Sequence, residues 1–395
     1  MNYSNDDISL AKKITDAIHQ VIGFTPAGLH EPNFDGKEMV YLQECIDSTY
    51  VSSVGKFVDE FEARLIEFTG AKYAIATVNG TAALHIALLL ADVKPNEEVL
   101  IPSLTFIATA NAVSYCNAIP HFVDSESETL GIDSGKLREY LRVITEQRSG
   151  KCVNKNTGRV IRALVPMHTF GHPSDLEGLL SVAREFNLVL VEDAAESLGS
   201  FYEGQHTGTF GKMSSLSFNG NKIVTTGGGG ALLTNDSVLA KRAKHITTTS
   251  RVPHKWEFSH DEVGFNYRMP NLNAALGCAQ MEQLAFKLSD KRKLTDNYQR
   301  EFSAIKGVSL KLEAHGSISN YWLNALILDR ENEVLLDQVL TMTNNAGIST
   351  RPVWHLLNDL NPYRDCPAMD LSQSKSLALR IVNLPSSPKL GGSTN

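Results

Sequence analysis

The chain has 395 residues, 42% hydrophobic and 21% charged, a composition that suits a globular protein long enough for two domains and a sizeable core. Forty-four acidic side chains against 37 basic ones give a net charge of -7 with no basic run, which argues against a nucleic-acid partner. Five cysteines, Cys45, Cys116, Cys152, Cys278 and Cys366, form neither a CxxC pair nor a Cys/His ligand pattern; they read as reduced thiols in a cytoplasmic protein, with no metal site expected.

In chain order, MNYSNDDISLAKKITDAIHQVIG carries acids where a secretory leader would carry bases, and Ile14, Ile18, Val21 and Ile22 recur at helical spacing. Residues 1–40 are expected to form a surface helix or arm. In KFVDEFEARLIEFTG, Phe57, Phe61, Leu65 and Phe68 share a helical face and Gly70 suits a C-terminal cap. YAIATV then reads as a strand, and NGTAALHIALLLADV as a helix opened by Asn79 and Gly80. Its apolar run, interrupted by His85, falls short of the ~20 residues a membrane span needs, and no membrane contact is expected. EVLIPS, IPHFVD, RALVPMHT and LVLVED follow as short strands separated by helical segments. This alternation predicts an α/β domain whose sheet is largely parallel and covered on both faces. Beyond SSLSFNG and GALLTND the pattern turns to long helical stretches, so a large domain is expected over 41–287 and a smaller C-terminal domain over 288–395.

Three features carry chemistry. NGTAALHIALL runs a strand through a Gly-Thr turn straight into a helix, leaving N–H groups outward at a positive dipole end: an anion site, or an ordinary Asn cap. In LVLVEDAAES, Glu192 and Asp193 end a buried strand, where open α/β sheets place ligands; taken by itself, Asp193 reads more readily as a cap of the next turn. Lys222, in SLSFNGNKIVTTGGGG, follows Asp193 by 29 residues (222 − 193) and Ser217 by five (222 − 217). A lysine in such a turn is by itself most often solvated. Together, a phosphate-binding helix start, a strand-end acid, and a Ser and Lys beside a glycine run fit pyridoxal phosphate. That cofactor needs a lysine amine, an acid at its pyridinium nitrogen and an anion cradle.

The segments NGTAALHIAL, PSLTFIATANAV, VEDAAESLGSFYEG, SFNGNKIVTTGGGG and VGFNYRMPNLNAALG, in that order, resemble the DegT-type sugar aminotransferases over nearly the whole chain from about residue 29. These are fold-type-I pyridoxal-phosphate enzymes. The resemblance implies a large α/β domain with a mostly parallel, mixed central sheet, a smaller C-terminal α/β domain, and an N-terminal segment packed on the pair. It makes Lys222 the Schiff-base lysine, Asp193 the partner of the pyridinium nitrogen, and Gly80, Thr81 and Ser217 the holders of the phosphate. Phe106 would stack on the ring, and Glu196 would stand near its phenolic oxygen, where many relatives carry Gln. An ionised Glu cannot donate a hydrogen bond there, so Glu196 must share a proton or contact that oxygen indirectly. Asn266 would reach the phosphate of a neighbouring subunit, giving a homodimer with shared sites. His168 and His355 match positions near the substrate side and are assigned no catalytic role. Gly228 stands where the family's glycine run often has Glu.

The implied reaction takes an amino group from glutamate, through pyridoxamine phosphate, to C4 of a nucleotide-linked 4-keto-6-deoxy-N-acetylhexosamine, with 2-oxoglutarate as by-product. LHEPNFDGKEMVYLQECIDSTYVSSVGKFVDEFE is similar to the legionaminic-acid-pathway branch, which implies a UDP- or GDP-linked acceptor in amino-sugar biosynthesis. Two rivals are weighed against this. A related dehydratase uses the same cofactor but has histidine where this chain has Lys222. A non-enzymatic regulator would need a partner- or DNA-binding module, and no helix-turn-helix signature or basic face is evident.

Overall fold

The computed structural model describes residues 5–392; residues 1–4 of the expected arm and 393–395 of the expected small domain lie outside the described residues. Seven strands form the central sheet: β1 Tyr73–Thr77, β2 Glu98–Pro102, β3 Ile119–Val123, β4 Ile161–Leu164, β5 Val189–Asp193, β6 Met213–Ser217 and β7 Gly230–Thr234. Their order across the sheet is β1, β7, β6, β5, β4, β2, β3. β7 is antiparallel to both its neighbours, and the other pairings are parallel, which gives the mostly parallel mixed sheet.

The short, nearly continuous apolar runs form strands because both sheet faces are covered. Ile75, Val99, Ile101, Val191, Met213 and Leu232 pack beneath the Gly80–Leu90 and Ser237–Thr247 helices. Ala74, Ala76, Leu216, Ala231 and Leu233 point the other way, toward the Lys56–Thr69 and Asn271–Glu282 helices. The first of these two helices has the expected apolar face, and Gly70 closes it with φ +73° and an N–H to the Ile66 carbonyl. Gly80–Leu90 is apolar nearly all round and is buried from Gly80 to Leu88 except at Thr81, so it is an internal helix. No helix among the described residues is long and apolar enough to cross a membrane.

A second, four-stranded antiparallel sheet joins Val308–Leu310, Asn324–Leu328, Ile381–Leu384 and Arg351–Pro352. The N-terminal helix Asn5–Ile22 lays Ala11, Ile14 and Ile18 against Tyr298, Phe302, Leu326 and Leu328, so the first and last parts of the chain share one core. The position 287/288 falls inside the helix Leu284–Phe302. Leu284 packs into the core under the large sheet, and Leu294, Tyr298 and Phe302 pack into the other. One unbroken helical pattern therefore bridges the two cores, and the sequence carries no break there.

The tightest backbone approach lies at the start of β7. A Cβ on Gly230 would sit 2.5 Å from the Gly80 nitrogen and no farther from the Asn79 carbonyl carbon and oxygen, atoms that cannot rotate away. At Gly228 the nearest heavy atom is the Val78 carbonyl oxygen, 3.9 Å off. Gly230→Ala is expected to cost about 2–3 kcal/mol in urea unfolding, while Gly228→Ala stays within about 0.5 kcal/mol of the parent. Equal effects at the two glycines would contradict this packing.

Candidate active site

The site stands at the carboxyl end of the sheet. β7 pairs Gly230 with Thr77 on one side and Ser217 on the other, so the ends of β1 and β6 flank one backbone position. From Thr77 the chain passes through Val78 to Asn79, the cap of the Gly80–Leu90 helix. The Asn79 side chain accepts the Ala82 N–H at 2.7 Å, and its carbonyl accepts that of Ala83 at 3.2 Å. The Gly80 and Thr81 N–H groups, which have no acceptor within the helix, are left for an anion at its positive end. Only a glycine allows this helix start to lie so near β6, because a Cβ on Gly80 would meet the Ser217 Cβ at 2.9 Å. Gly80, Thr81 and Ser217 all line a pocket of about 260 Å³.

Asp193 ends β5 on the wall of the same pocket. Its Oδ2 accepts the Thr109 hydroxyl at 2.7 Å and its Oδ1 the Ala195 N–H at 3.2 Å. Burial raises its carboxyl above the usual range, and the Thr109 and Ala195 hydrogen bonds and the Lys222 charge oppose that rise. Glu192, one residue back, points to the other face, as strand alternation requires. There it accepts the N–H groups of Gly208, Phe210 and Gly211 and lies 3.1 Å from His168 Nε2. His168 Nδ1 accepts the Ser174 N–H, so the Nε2 hydrogen is directed at Glu192. His168 is thus held in the interior away from the pocket.

Lys222 reaches into the pocket from the turn after β6, with its own N–H bonded to the Asn219 carbonyl. Its Nζ lies 3.2 Å from Glu196 Oε1 and 3.7 Å from the centre of the Trp322 ring. Trp322 is fixed in turn by an Nε1–H bond to the Asn221 carbonyl at 2.7 Å. Glu196 Oε2 accepts the N–H of Phe170, which sits in the left-handed region at φ 56°. Phe106 opens the Ile107–Tyr115 helix as a half-exposed ring, 6.2 Å from Trp354 and on the pocket wall.

The residues fit the cofactor expected from the sequence: a lysine amine, a buried acid across from it, and a helix start with two amides for a phosphate. Asn266 does not join them in its own chain; it is exposed, bridging Thr248 outside the pocket lining. His355 is also exposed and absent from the lining, while its neighbour Trp354 faces in. Sequence reasoning missed Trp354, Trp322 and Thr109. Thr109 lay inside the quoted PSLTFIATANAV segment, one helical turn from Thr105, whose hydroxyl it meets at 3.0 Å. The tryptophans carried no signal beyond their rarity, since there are three in the chain.

Burial raises the Glu196 carboxyl from 4.5 to about 7 against the opposing Lys222 charge. The folded chain therefore holds this proton more tightly than the unfolded chain does. The resulting stability is complete below about pH 4.5 and is lost as pH rises through about 7. Between pH 5 and 8 the cofactor-free protein is expected to lose about 2–3 kcal/mol more than its Glu196→Gln variant. Urea unfolding at intervals across this range checks it; parallel curves for the two proteins would refute it.

Comparison with known proteins agrees with this chemistry. The model of the DegT/DnrJ/EryC1/StrS aminotransferase family matches residues 32–394. The chain is 36% identical over 357 residues to a GDP-perosamine synthase of Caulobacter vibrioides, covering 90% of this chain and 91% of the relative. It is 34% identical over 330 residues to EpsN of Bacillus subtilis, assigned as a pyridoxal phosphate-dependent aminotransferase, covering 84% and 82%. In fold it is similar to the aminotransferase TlmJ of Streptoalloteichus hindustanus, with TM-score 0.82, 24% identity, and 92% and 94% of the two chains covered. The chain belongs to the DegT/DnrJ/EryC1/StrS aminotransferase family and is a fold-type-I, pyridoxal-phosphate-dependent sugar aminotransferase.

Proposed function

We propose that the enzyme moves an amino group from glutamate to C4 of a nucleotide-linked 4-keto-6-deoxy-N-acetylhexosamine, in amino-sugar biosynthesis of the legionaminic-acid type. The observation that carries the sugar reading is the pocket wall opposite the phosphate cradle. There Trp322, Trp354 and Phe106 line the pocket together with Lys222, whose amine lies over the Trp322 ring, and Lys222 is the one cationic side chain among the lining residues described. Aromatic faces suit the apolar faces of a sugar ring, whereas a free dicarboxylate acceptor would call for further cations. A GDP-linked 4-keto-6-deoxyhexose without the acetamido group is the second reading, favoured by the identity to relatives named GDP-perosamine synthases.

The cofactor, when bound, supplies an electron sink that stabilises the carbanion formed as the substrate's Cα proton leaves. The residues of the chain do the rest. Gly80, Thr81 and Ser217 hold the phosphate, Phe106 covers a ring face, and Asp193 keeps a proton on the pyridine nitrogen. Lys222 would anchor the cofactor covalently and, as a free amine, would hold and move the substrate's Cα proton. Asn266 completes the phosphate site of a second copy in a homodimer. Its exposure in the single chain supports this, as do the bare apolar side chains Met39, Val40 and Val54. The five unpaired cysteines support a cytoplasmic setting.

Mass spectrometry of reactions with glutamate and three acceptors tests the assignment: the UDP- and GDP-linked acetamido keto sugars and the GDP-linked plain keto sugar. Amination of an acetamido sugar, with turnover at least tenfold above that of any free keto acid, is expected. A product only from the plain sugar would select the second reading, and amination of simple keto acids alone would sink both. Asp193→Asn should still bind the cofactor yet lose about 100-fold or more in kcat, and a loss under tenfold would remove Asp193 from its role. Lys222→Ala should abolish turnover. Co-refolding that chain with Asn266→Ala should restore activity through heterodimers that keep one intact site; none recovered, with heterodimers shown to form, would end the shared-site reading.

A further inference from the structure

We propose that Glu196 is the base that frees the Lys222 amine for attachment to the cofactor, taking its proton inside a buried pair. A protonated lysine has no lone pair and cannot attack a carbonyl until one proton has left. The groups facing that ammonium narrow the choice of acceptor. Glu196 Oε1 stands 3.2 Å from Nζ, and the Trp322 ring at 3.7 Å attracts the cation but has no site for its proton. The other carboxylate in the pocket, Asp193, is engaged at both oxygens by Thr109 and Ala195. Glu192 and His168 face each other beyond β5. Solvent access is small, since the Lys222 side chain is 13% exposed and that of Glu196 2%.

The pair's electrostatics favour an internal transfer. Moving the proton from Lys222 to Glu196 turns an ion pair into a neutral amine and a neutral acid, so no unpaired charge appears in the low-dielectric pocket. Releasing that proton to water would instead leave the Glu196 carboxylate buried and alone. Phe170 N–H occupies Oε2, which leaves Oε1 as the oxygen that receives the proton. Burial has already lifted Glu196 close to neutrality, where an acid exchanges protons most readily, with Asp193 adding to that rise and Lys222 opposing it.

The step balances without any outside reactant. Glu196 takes one of the three ammonium hydrogens. The freed amine then forms a carbon–nitrogen double bond to the cofactor's aldehyde carbon, and the aldehyde oxygen leaves as water with the two remaining hydrogens. Glu196 is left as a neutral acid with an O–H to donate, a capacity that an ionised Glu lacks and that Gln would have at this position. The proposal requires the cofactor alone and is independent of which sugar is aminated.

The test loads cofactor-free protein with pyridoxal phosphate and follows covalent attachment by absorbance, confirmed by borohydride reduction and mass spectrometry. The wild type should load at a nearly level rate from pH 7 to 9 and more slowly below pH 7, as Glu196 becomes protonated. Glu196→Gln should lose the level region, its loading rate rising about tenfold per pH unit from pH 7 to 9 because its proton must now go to solvent. Glu196→Asp should restore part of the level profile. Pyridoxamine phosphate needs no covalent bond, so its affinity for each variant should change much less than the loading rate does across pH 7 to 9. Wild-type rate and pH profile in Glu196→Gln would overturn the proposal. So would an equal loss of pyridoxamine phosphate binding, which would mark Glu196 as merely structural.

Discussion

The site depends on one close approach: the start of the Gly80–Leu90 helix rests directly on the ends of β6 and β7. Gly80 lies against Ser217 and Gly230 against the Asn79–Gly80 peptide, and neither position has room for a side chain. The register that pairs Gly230 with both Thr77 and Ser217 fixes the helix start relative to the sheet. The two free amides of the helix start, at the positive end of its dipole, and the Ser217 hydroxyl then line one pocket. The reversed strand β7 makes this possible, since its first residue lies at the same end of the sheet as the last residues of its neighbours.

The opposite side of the pocket is governed by charge. Two buried carboxylates and the Lys222 amine line one pocket, and burial raises both acids. They are treated differently by their neighbours. Asp193 receives a hydroxyl and an amide, both donors that favour its ionised form. Glu196 receives one amide and the lysine, a partner that can itself give up a proton. Two carboxylates three residues apart therefore suit different tasks, one holding a charge and the other exchanging a proton.

Part of the pocket wall comes from the far end of the chain. Trp322 precedes the strand Asn324–Leu328, and its carbonyl accepts a hydrogen bond from the buried Lys291 Nζ at 3.1 Å, which also donates to the Ser386 carbonyl at 2.5 Å. Lys291 sits on the helix Leu284–Phe302, and the N-terminal helix packs on the later turns of that helix. The first helix of the chain is thereby coupled, through one helix and one buried lysine, to the ring beneath the Lys222 amine.

The sequence by itself determined the strands and the cofactor chemistry. Apolar runs of strand length between helical patterns can form only a covered sheet, and a strand-end acid, a Gly-Thr helix start and a lysine beside glycines are local signals with local causes. Phe106 lines the pocket, where the family resemblance had put it. What the sequence left open depended on direction or distance. Glu192 and Asp193 were equivalent as letters until strand alternation sent one to the interior amides and the other to the pocket. In the irregular segment after Arg351–Pro352, Trp354 lines the pocket, whereas His355, which had drawn notice, is exposed. Trp322 and Thr109 reach the site from segments 100 residues or more away from Lys222, as the numbering shows (322 − 222; 222 − 109), and no periodicity reports such a contact. The N-terminal helix showed its apolar stripe but not the partner for it, because the core that stripe completes is built from the other end of the chain. Local patterning specifies which residues can be buried or can bind; the tertiary fold alone decides which of them meet.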